Sequence, residues 1–364
     1  MSVEDFENPK IVFVHLGKAK VPHLWLNLQR TQTLFPSASI HLIIEESTSV
    51  PKYIHEFVVI HIYVRSIEII KLREQHAHAS SFRNGFWWLS LERLIALGQA
   101  HTAIGNSGII HLESDVMLMP NFPFHFFERQ KLSWCRYNEN RDVASIVYSP
   151  DIQQTEWLLA QIINRFELNS AHTDMTILSE ISNSHADKVD VLPYIGTHKV
   201  DLRNREFNLK SAVLKLPNSE NDPQGIFDAA PLGMWLCGQD PRNHYGFTRF
   251  EMRNIIDSGD SYIDPSKFEF SYRTDSGLRI SAGSEALSIW NLHIHSKNLK
   301  LLSNDWEAEL QRILVGKGQR SEFSVRIFCS LIISNLKQRT LLRYFLGAPP
   351  IYRVIKPLRD RIFQ

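Results

Sequence analysis

Cysteine is scarce in this sequence. The 364 residues include only Cys135, Cys237 and Cys329, which lie far apart and form no C-x-x-C pair. Their spacing excludes a disulfide scaffold and a zinc site built from cysteine, and it fits a reducing cytosol. An HExxH motif and a cluster of three histidines are missing as well, so nothing in the spacing supports a zinc hydrolase.

Long apolar runs are also missing, because no stretch of about 18 apolar residues occurs, and we expect no membrane-spanning helix. Residues 1–10 are acidic and polar where a secretory signal would be basic and then apolar, so we expect a cytoplasmic protein. Hydrophobic residues make up 43% and charged residues 22% of the chain, which excludes disordered and collagen-like classes. The length predicts two domains or one large, elaborated domain.

The chain has no large excess of either charge. It contains 40 Lys and Arg residues against 39 Asp and Glu residues, and a net charge of +1 argues against a nucleic-acid-binding protein. Residues 320–364 nevertheless hold nine basic and two acidic residues, which leaves a net charge of −6 on the rest. Apolar residues are interleaved with the basic ones, which predicts one or two amphipathic helices. This basic segment either attaches to an anionic surface at the cytoplasmic face of a membrane or packs on the rest of the protein.

Apolar runs alternate with segments of helical periodicity over about the first 200 residues. The alternation predicts an α/β fold with a mostly parallel sheet and helices on both faces. Residues 209–275 are rich in Gly, Pro, Asn and Asp, which predicts loops and short helices at one end of the sheet. The predicted strands are residues 11–17, 39–44, 57–64, 108–120, 132–137, 144–149, 188–194 and 288–295, and the predicted helices are residues 22–35, 86–100, 152–167 and 305–314.

The sharpest local feature is an acidic pair, Glu113-Ser114-Asp115, inside an apolar segment. On a strand, the period of two places Glu113 and Asp115 on one face near the end of the strand, where open α/β sheets bind ligands. Two carboxylates there suit Mg²⁺ or Mn²⁺. The alternative is a pair of solvated carboxylates that begin a loop. Because the apolar run resumes at residues 116–119, the acids interrupt a buried segment, and a metal would offset the cost of that burial.

Three features now stand in a characteristic order: the strand IVFVHLG, a Trp-rich helix with the sequence Glu92-Arg93-Leu94, and the strand with the acidic pair. With them, residues 11–297 resemble the GT-A nucleotide-sugar glycosyltransferases, whose fold is Rossmann-like. The family motif is Asp-x-Asp, so Glu113 departs from it and Asp115 matches its last position. The resemblance implies that Asp115 binds the divalent ion bridging the donor diphosphate, and that Glu113 contacts the ribose or the metal.

The same resemblance implies that Arg93 binds the donor. The alternative interpretation, which the residues themselves favour slightly, is a surface arginine opposite Glu92. Asp174 begins another predicted helix and is interpreted as its cap, with a contact to the donor sugar as the alternative.

A second polar group lies on the predicted strand of residues 288–295. Asn291, His293 and His295 share one face of that strand. The resemblance implies that a late histidine binds the same metal as the acidic motif and that Lys297 contacts the diphosphate as a point charge. Spacing does not choose between His293 and His295, and a polar strand face with no ligand is the alternative.

Asp228 and Asp240 lie in the loop-rich region and are the candidate catalytic residues. Inverting transfer needs a carboxylate within hydrogen-bond reach of the acceptor hydroxyl, and the resemblance places the acceptor region here. Asp228 also fits a helix N-cap, with Pro231 in the first turn, and Asp240 also fits a β-turn with Pro241.

The sequence as a whole predicts a metal-dependent glycosyltransferase of the kind used in polysaccharide biosynthesis. It would move a sugar from a nucleoside diphosphate sugar to a hydroxyl of a glycan or a lipid-linked acceptor. Residues 1–300 would form the catalytic domain, with donor binding in about residues 1–200 and the acceptor part in about residues 201–300, and residues 301–364 a basic helical extension. The alternatives are a non-catalytic carbohydrate-binding or scaffold protein and a nucleotidyltransferase, which is disfavoured because no Gly-rich phosphate loop follows the first strand.

Overall fold

The computed structural model describes residues 8–17, 21–75, 85–127, 130–138, 140–170, 172–195, 213–214, 224–237, 268–294 and 298–318, and every structural statement below refers to them. Four predictions fall outside these residues: the sites at Asp240, His295 and Lys297, and the basic segment 320–364.

Strands and helices alternate along the first half of the described chain. The strands are β1 (Lys10–His15), β2 (Ser39–Ile44), β3 (Val58–Ile62), β4 (Ile109–Leu112), β5 (Val116–Leu118), β6 (Leu132–Asn138), β7 (Arg141–Ser149), β8 (Val189–Val191), β9 (Tyr194–Ile195), β10 (Val213–Leu214), β11 (Gly225–Ile226), β12 (Glu269–Arg273), β13 (Gly277–Ala282), β14 (Glu285–Ile289) and β15 (Asn291–His293). The α-helices are α1 (Pro22–Leu34), α2 (Ile67–Gln75), α3 (Phe86–Ile104), α4 (Ile152–Leu168), α5 (Asp174–Ser184), α6 (Pro231–Cys237) and α7 (Trp306–Gly318), with 3₁₀ turns at Lys52–Glu56 and Phe124–Phe127.

The central sheet has seven strands in the order β3-β2-β1-β4-β7-β6-β8. Strands β3, β2, β1 and β4 are parallel, β6 is parallel to β8, and β7 is antiparallel to both of its neighbours. The structure therefore confirms the predicted mostly parallel α/β sheet. It also contains a switch point, because β1 pairs with β2 on one side and with β4 on the other, and the chain order reverses between them. Open α/β sheets bind ligands beyond the carboxyl ends of the strands at such a point.

Helices cover both faces of this sheet, as the apolar runs in its strands predict. Ile11 and Phe13 of β1 pack on one face with residues of α1, whereas Val12 and Val14 pack on the other face with residues of α2, α3, α4 and α5. Successive residues of a strand point to opposite faces, so a strand buried on both sides is apolar throughout. Among the described helices, none is both long enough and apolar enough to cross a membrane.

A second layer stands beside the central sheet. It contains the four-stranded sheet β11-β14-β13-β12 and the two-stranded ladder β15-β5. Helix α7 packs into its core through Trp306 and Leu310. The domain boundary at residue 300 stays a prediction, and α7 lies immediately after it.

The predicted elements differ from the structure in several places, and α2 and β13 are not among the predicted elements. Residues 108–120 form two strands, β4 and β5, with a turn at residues 113–115 in place of one long strand. The predicted strand at residues 288–295 is likewise interrupted at Trp290, which separates β14 from β15. Residues 269–273 form β12 of an antiparallel sheet, although the composition of residues 209–275 predicts loops.

Two histidines contact each other across β2 and β3. The Nδ1 atom of His41 lies 3.0 Å from the Nε2 atom of His61, and the other ring nitrogen of His41 lies 3.0 Å from the hydroxyl oxygen of Ser39. Burial lowers the pKa of His41 to about 4, with His61 and Lys10 acting in the same direction. Burial also lowers the pKa of His61.

These pKa values predict a loss of stability in mild acid. An unfolded histidine binds its proton near pH 6.5 whereas folded His41 does not, so the free energy of unfolding should fall as the pH drops from about 6.5 to 4. Urea unfolding at pH 7.5 and 5 measures this decline. It should be smaller in the double variant His41→Asn, His61→Asn than in wild type. The exposed control His55→Asn should decline as wild type does, and an equal decline in all three proteins would contradict the assignment.

Candidate functional site

Three buried side chains converge beyond the carboxyl end of β4. Glu113, Asp115 and His293 offer one ligand atom each, and these atoms all lie within 4.8 Å of one another. The Nε2 atom of His293 is 3.3 Å from a carboxylate oxygen of Glu113 and 3.4 Å from one of Asp115. The three residues are 8%, 7% and 6% exposed, in chain order. Two of them come from the segment after β4, next to the switch point, and the third comes from the second layer.

A turn, and not a strand face, brings the two acids together. The backbone N–H of Val116 donates to the carbonyl of Glu113 at 3.0 Å, which closes the turn between β4 and β5. The expectation that Glu113 and Asp115 share a face by strand periodicity is therefore wrong in its geometry. The acids still approach each other because the turn folds the chain between them.

His293 reaches the acids because β15 pairs with β5. In this antiparallel ladder His293 is opposite Val116, and the N–H of Ile294 donates to the carbonyl of Asp115 at 2.7 Å. The ring of His293 is oriented from its other side, since its Nδ1 lies 2.7 Å from the carbonyl oxygen of Ala229. A carbonyl oxygen only accepts, so Nδ1 carries a proton and Nε2 faces the two carboxylates.

The carboxylates determine the charge of this histidine. Burial alone would lower the pKa of His293, but the negative charge of Asp115, a hydrogen bond to it and the charge of Glu113 outweigh burial and raise the pKa to about 9. Without its Nε2 proton, His293 would form with the two carboxylates a ligand set that fits a divalent cation such as Mn²⁺, because carboxylates suit Mg²⁺ and Mn²⁺ and neutral imidazole suits transition metals. A hydrogen bond from the distal ring nitrogen to a backbone carbonyl is usual for metal-binding histidines.

Arg93 lies on α3, which packs on the central sheet, and its positive charge balances the acidic pair. Its Nη2 atom forms an ion pair with Glu113, and both side chains are largely buried. The alternative of a surface arginine opposite Glu92 is therefore wrong, and Glu92 instead accepts from Arg65 and, at 2.7 Å, from the indole N–H of Trp88. Burial would raise the pKa of the Glu113 carboxyl, but the charges of Arg93 and His293 hold it below its ordinary value.

Asp174 is a third buried carboxyl near this charge cluster. Burial raises its pKa to about 6, against the charge of Arg93, while the charge of Glu113 acts in the same direction as burial. The prediction that Asp174 caps α5 is wrong by one residue, since the cap is Thr173, whose side chain accepts from the N–H of Thr176. Asp174 is the first helical residue.

Asp228 holds β15 and α6 together. Its carboxylate accepts from the N–H groups of Leu232 at 3.0 Å, Gly233 at 2.7 Å and His293 at 3.1 Å, and it is 2% exposed. Burial raises the pKa of Asp228 and these N–H groups oppose the rise. These contacts satisfy N–H groups in the first turn of α6, although Asp228 lies two residues before the N-cap position because α6 begins at Pro231. A role as general base stays a prediction, as it does for Asp240.

Two residues for which the sequence predicts no role contribute to this arrangement. The amide of Asn291 exchanges two hydrogen bonds with the backbone of Asp228, at 3.0 and 2.9 Å, and so fixes α6 against β15. Gly233 lets the same two elements approach closely. Asn291 shares a predicted strand face with His293, which is a usable signal, whereas nothing in the local sequence marks Gly233 as a contact point.

No family model matches the chain, and no curated protein matches it. Among solved structures, the apo form of the glycosyltransferase GlyE from Streptococcus pneumoniae TIGR4 is 12% identical over 51% of this chain and 45% of its own, with a TM-score of 0.35. Mouse xyloside xylosyltransferase 1 is 12% identical over 51% of this chain and 85% of its own, with a TM-score of 0.33. The PaToxG glycosyltransferase is 12% identical over 49% of this chain and 69% of its own, with a TM-score of 0.31.

All three structures are glycosyltransferases, the class that the sequence resembles. This chain spans less than half the length of GlyE. Because the TM-scores and identities are low, the function proposed below rests on the geometry of the site.

Removing Arg93 should destabilise the protein. The variant Arg93→Met removes the arginine partner of buried Glu113, and breaking a buried pair in this way costs about 3 kcal/mol or more. In the double variant Arg93→Met, Glu113→Gln the loss should be clearly smaller than the sum of the two single losses. Urea unfolding in the presence of a chelator measures this cycle, and additive losses would show that the pair does not interact.

Adding one methyl group at Gly233 should also destabilise the protein. A Cβ atom there would lie 2.1 Å from the carbonyl oxygen of His293 and 2.9 Å from an Asp228 carboxylate oxygen, so backbone would have to move. We expect Gly233→Ala to cost about 2 kcal/mol or more in urea unfolding. The matched control is Gly316→Ala in α7, where a Cβ meets nothing within 4 Å and stability should stay equal or rise slightly. Equal effects of the two substitutions would rule out the close approach.

Proposed function

We propose that this chain is a metal-dependent glycosyltransferase that uses a nucleoside diphosphate sugar as donor. The observation that carries the proposal is the buried group of Glu113, Asp115 and His293 beside the switch point of the sheet. The switch point is where α/β sheets bind nucleotides, and the three side chains offer a divalent cation the ligands it prefers. Together they are suited to a nucleotide whose diphosphate is held through a metal ion.

The proposed roles follow from the contacts. Asp115, Glu113 and His293 would hold Mn²⁺ or Mg²⁺, and such an ion, when bound, would supply positive charge where the departing diphosphate becomes negative. Arg93 keeps Glu113 ionised and fixes one of its oxygens. The Ala229 carbonyl keeps the Nε2 atom of His293 directed at the acids.

The remaining roles rest on the sequence. Lys297 follows His293 by four residues and is proposed to contact the diphosphate. Asp240 is proposed as the base that takes the proton of the acceptor hydroxyl. Asp228 has a structural role, because its carboxylate accepts from the backbone N–H of His293 in β15. The acceptor is proposed to be a glycan or a lipid-linked hydroxyl, and the basic segment 320–364 would suit a lipid-linked acceptor at an anionic membrane surface.

The nucleotide should stabilise the protein only when the metal is present. A ligand at about 100 times its dissociation constant adds roughly 2.7 kcal/mol of stability, which a thermal unfolding assay resolves. We expect one nucleoside diphosphate or its sugar to raise the Tm with Mn²⁺ and not with a chelator. Asp115→Asn should abolish this rise and donor turnover. The matched control is Asp190→Asn, which changes a carboxyl that is 6% exposed on β8, where it pairs with Lys131.

The outcomes separate the alternatives. Transfer of the sugar to an acceptor supports the proposal, and release of pyrophosphate would indicate a nucleotidyltransferase. A chain that shows neither a metal-dependent shift nor turnover with any nucleotide is a binding or scaffold protein. Normal turnover by Asp115→Asn would show that Asp115 is not required for catalysis.

A further inference from the structure

One face of α1 is polar although it is buried. His23, Asn27 and Arg30 lie at positions i, i+4 and i+7 of the helix and are 5%, 0% and 2% exposed. The apolar stripe of the helix, with Leu24 and Leu28, packs against the central sheet. The polar face is therefore not the solvent side of an amphipathic helix, and its hydrogen bonds go to groups inside the protein.

Two of these side chains donate to one strand edge. The amide Nδ2 of Asn27 donates to the carbonyl oxygens of Ser114 at 3.2 Å and Val116 at 2.8 Å. The Nη2 atom of Arg30 donates to the carbonyl oxygen of Leu118 at 2.7 Å. The three accepting carbonyls belong to alternate residues, as expected for one edge of an extended strand.

The other edge of the same strand carries the histidine of the site. Strand β5 pairs there with β15, and Val116 is opposite His293. Strand β5 therefore lies between α1 on one side and β15 on the other. Any shift of β5 along α1 would move the acids relative to His293.

Ser114 shows how this arrangement orients the acidic pair. It is the residue between Glu113 and Asp115, and it faces α1: its hydroxyl oxygen lies 3.1 Å from the Nε2 atom of His23, and its carbonyl accepts from Asn27. With the middle residue held against the helix, the two acids on either side of it approach His293.

The polar face satisfies one buried edge of β5. Burying an amide and a guanidinium removes both from water, but an apolar helix face would leave the carbonyls of Ser114, Val116 and Leu118 without these donors. Burial is strong enough to lower the pKa of Arg30 to about 9, against the charges of Tyr272 and Glu307. The guanidinium also stacks over the ring of Trp306, 4.3 Å from its centroid, which fixes its orientation. The hydrogen bonds of these polar side chains also fix the position of residues 114–118 along α1, which apolar contacts would not do.

We propose that Asn27 and Arg30 are positioning residues for the candidate metal site. They hold residues 114–118 in the register that lets Glu113 and Asp115 meet His293. The proposal deepens the function proposed above and rests on it for the identity of the site, but the register itself is measurable without metal.

Hydrogen exchange on the metal-free full chain tests the register. In Asn27→Leu, which keeps the volume and removes the donor, the amides of residues 114–118 should exchange at least about tenfold faster than in wild type. Arg30→Lys keeps the charge but replaces the planar guanidinium with an ammonium on a shorter side chain, so it should show the same change to a smaller extent. It decides the question if Asn27→Leu does not fold. The matched control is Thr155→Val in α4. Thr155 is a buried polar residue that hydrogen-bonds His101 and Ser149, far along the chain from this segment.

Titration of the same proteins with Mn²⁺ alone tests the consequence for the site. Loss of an outer partner of a metal ligand typically weakens affinity 10- to 100-fold, and we expect at least about tenfold for Asn27→Leu. Thr155→Val should bind Mn²⁺ within twofold of wild type even if it loses comparable stability.

The outcomes distinguish the two proposals. Unchanged exchange at residues 114–118 in both α1 variants overturns the positioning role. Faster exchange with wild-type Mn²⁺ affinity also overturns it, because the segment would then loosen without affecting the ligands. Wild-type protein that binds no Mn²⁺, together with faster exchange in the variants, overturns the metal-dependent function and leaves the control of register by α1 supported.

Discussion

The structure around the candidate site depends on the neutralisation of two buried carboxylates. Glu113 and Asp115 are placed out of water, where each charge is costly unless a partner lies close. Arg93 approaches from α3 in the central layer and His293 approaches from β15 in the second layer. The acids therefore act as the electrostatic link between the two layers, and each layer contributes one cation to it.

Hydrogen bonds, more than packing, determine where His293 lies. Strand β15 has only three residues, which is too little apolar surface to fix a position alone. Its place is set by pairing with β5, by three N–H groups that converge on Asp228 and by the amide exchange of Asn291. Directional contacts of this kind hold a side chain to a defined geometry, and apolar contacts allow small displacements.

Much of the fold is predictable because its signals are local. Residues 39–44 are mostly apolar, and the structure gives that same strand, since its isoleucines and its leucine pack into the cores on both faces of the sheet. The residue types of the site are recognisable in the sequence. Their geometry depends on two interruptions of predicted strands, which hydrophobic periodicity does not reveal. The break at Trp290 arises because its ring packs among Phe126 and Phe227 in another part of the core. The partner of Arg93 is not evident from the local sequence. Adjacent residues on a helix do not face each other, so Arg93 pairs with Glu113 on another element and not with Glu92.

The separation of the ligands along the chain has a consequence for how the protein is made. Glu113 and Arg93 are 20 residues apart, so synthesis delivers both early, and the acid has a counter-charge as soon as the parallel strands assemble. His293 arrives much later and reaches the acids only when the second layer docks. Contacts between such distant segments form late in folding because closing a long loop is entropically costly. Retention of a metal ion would therefore mark a chain that has completed both layers, and a truncated or half-folded chain would lack the third ligand.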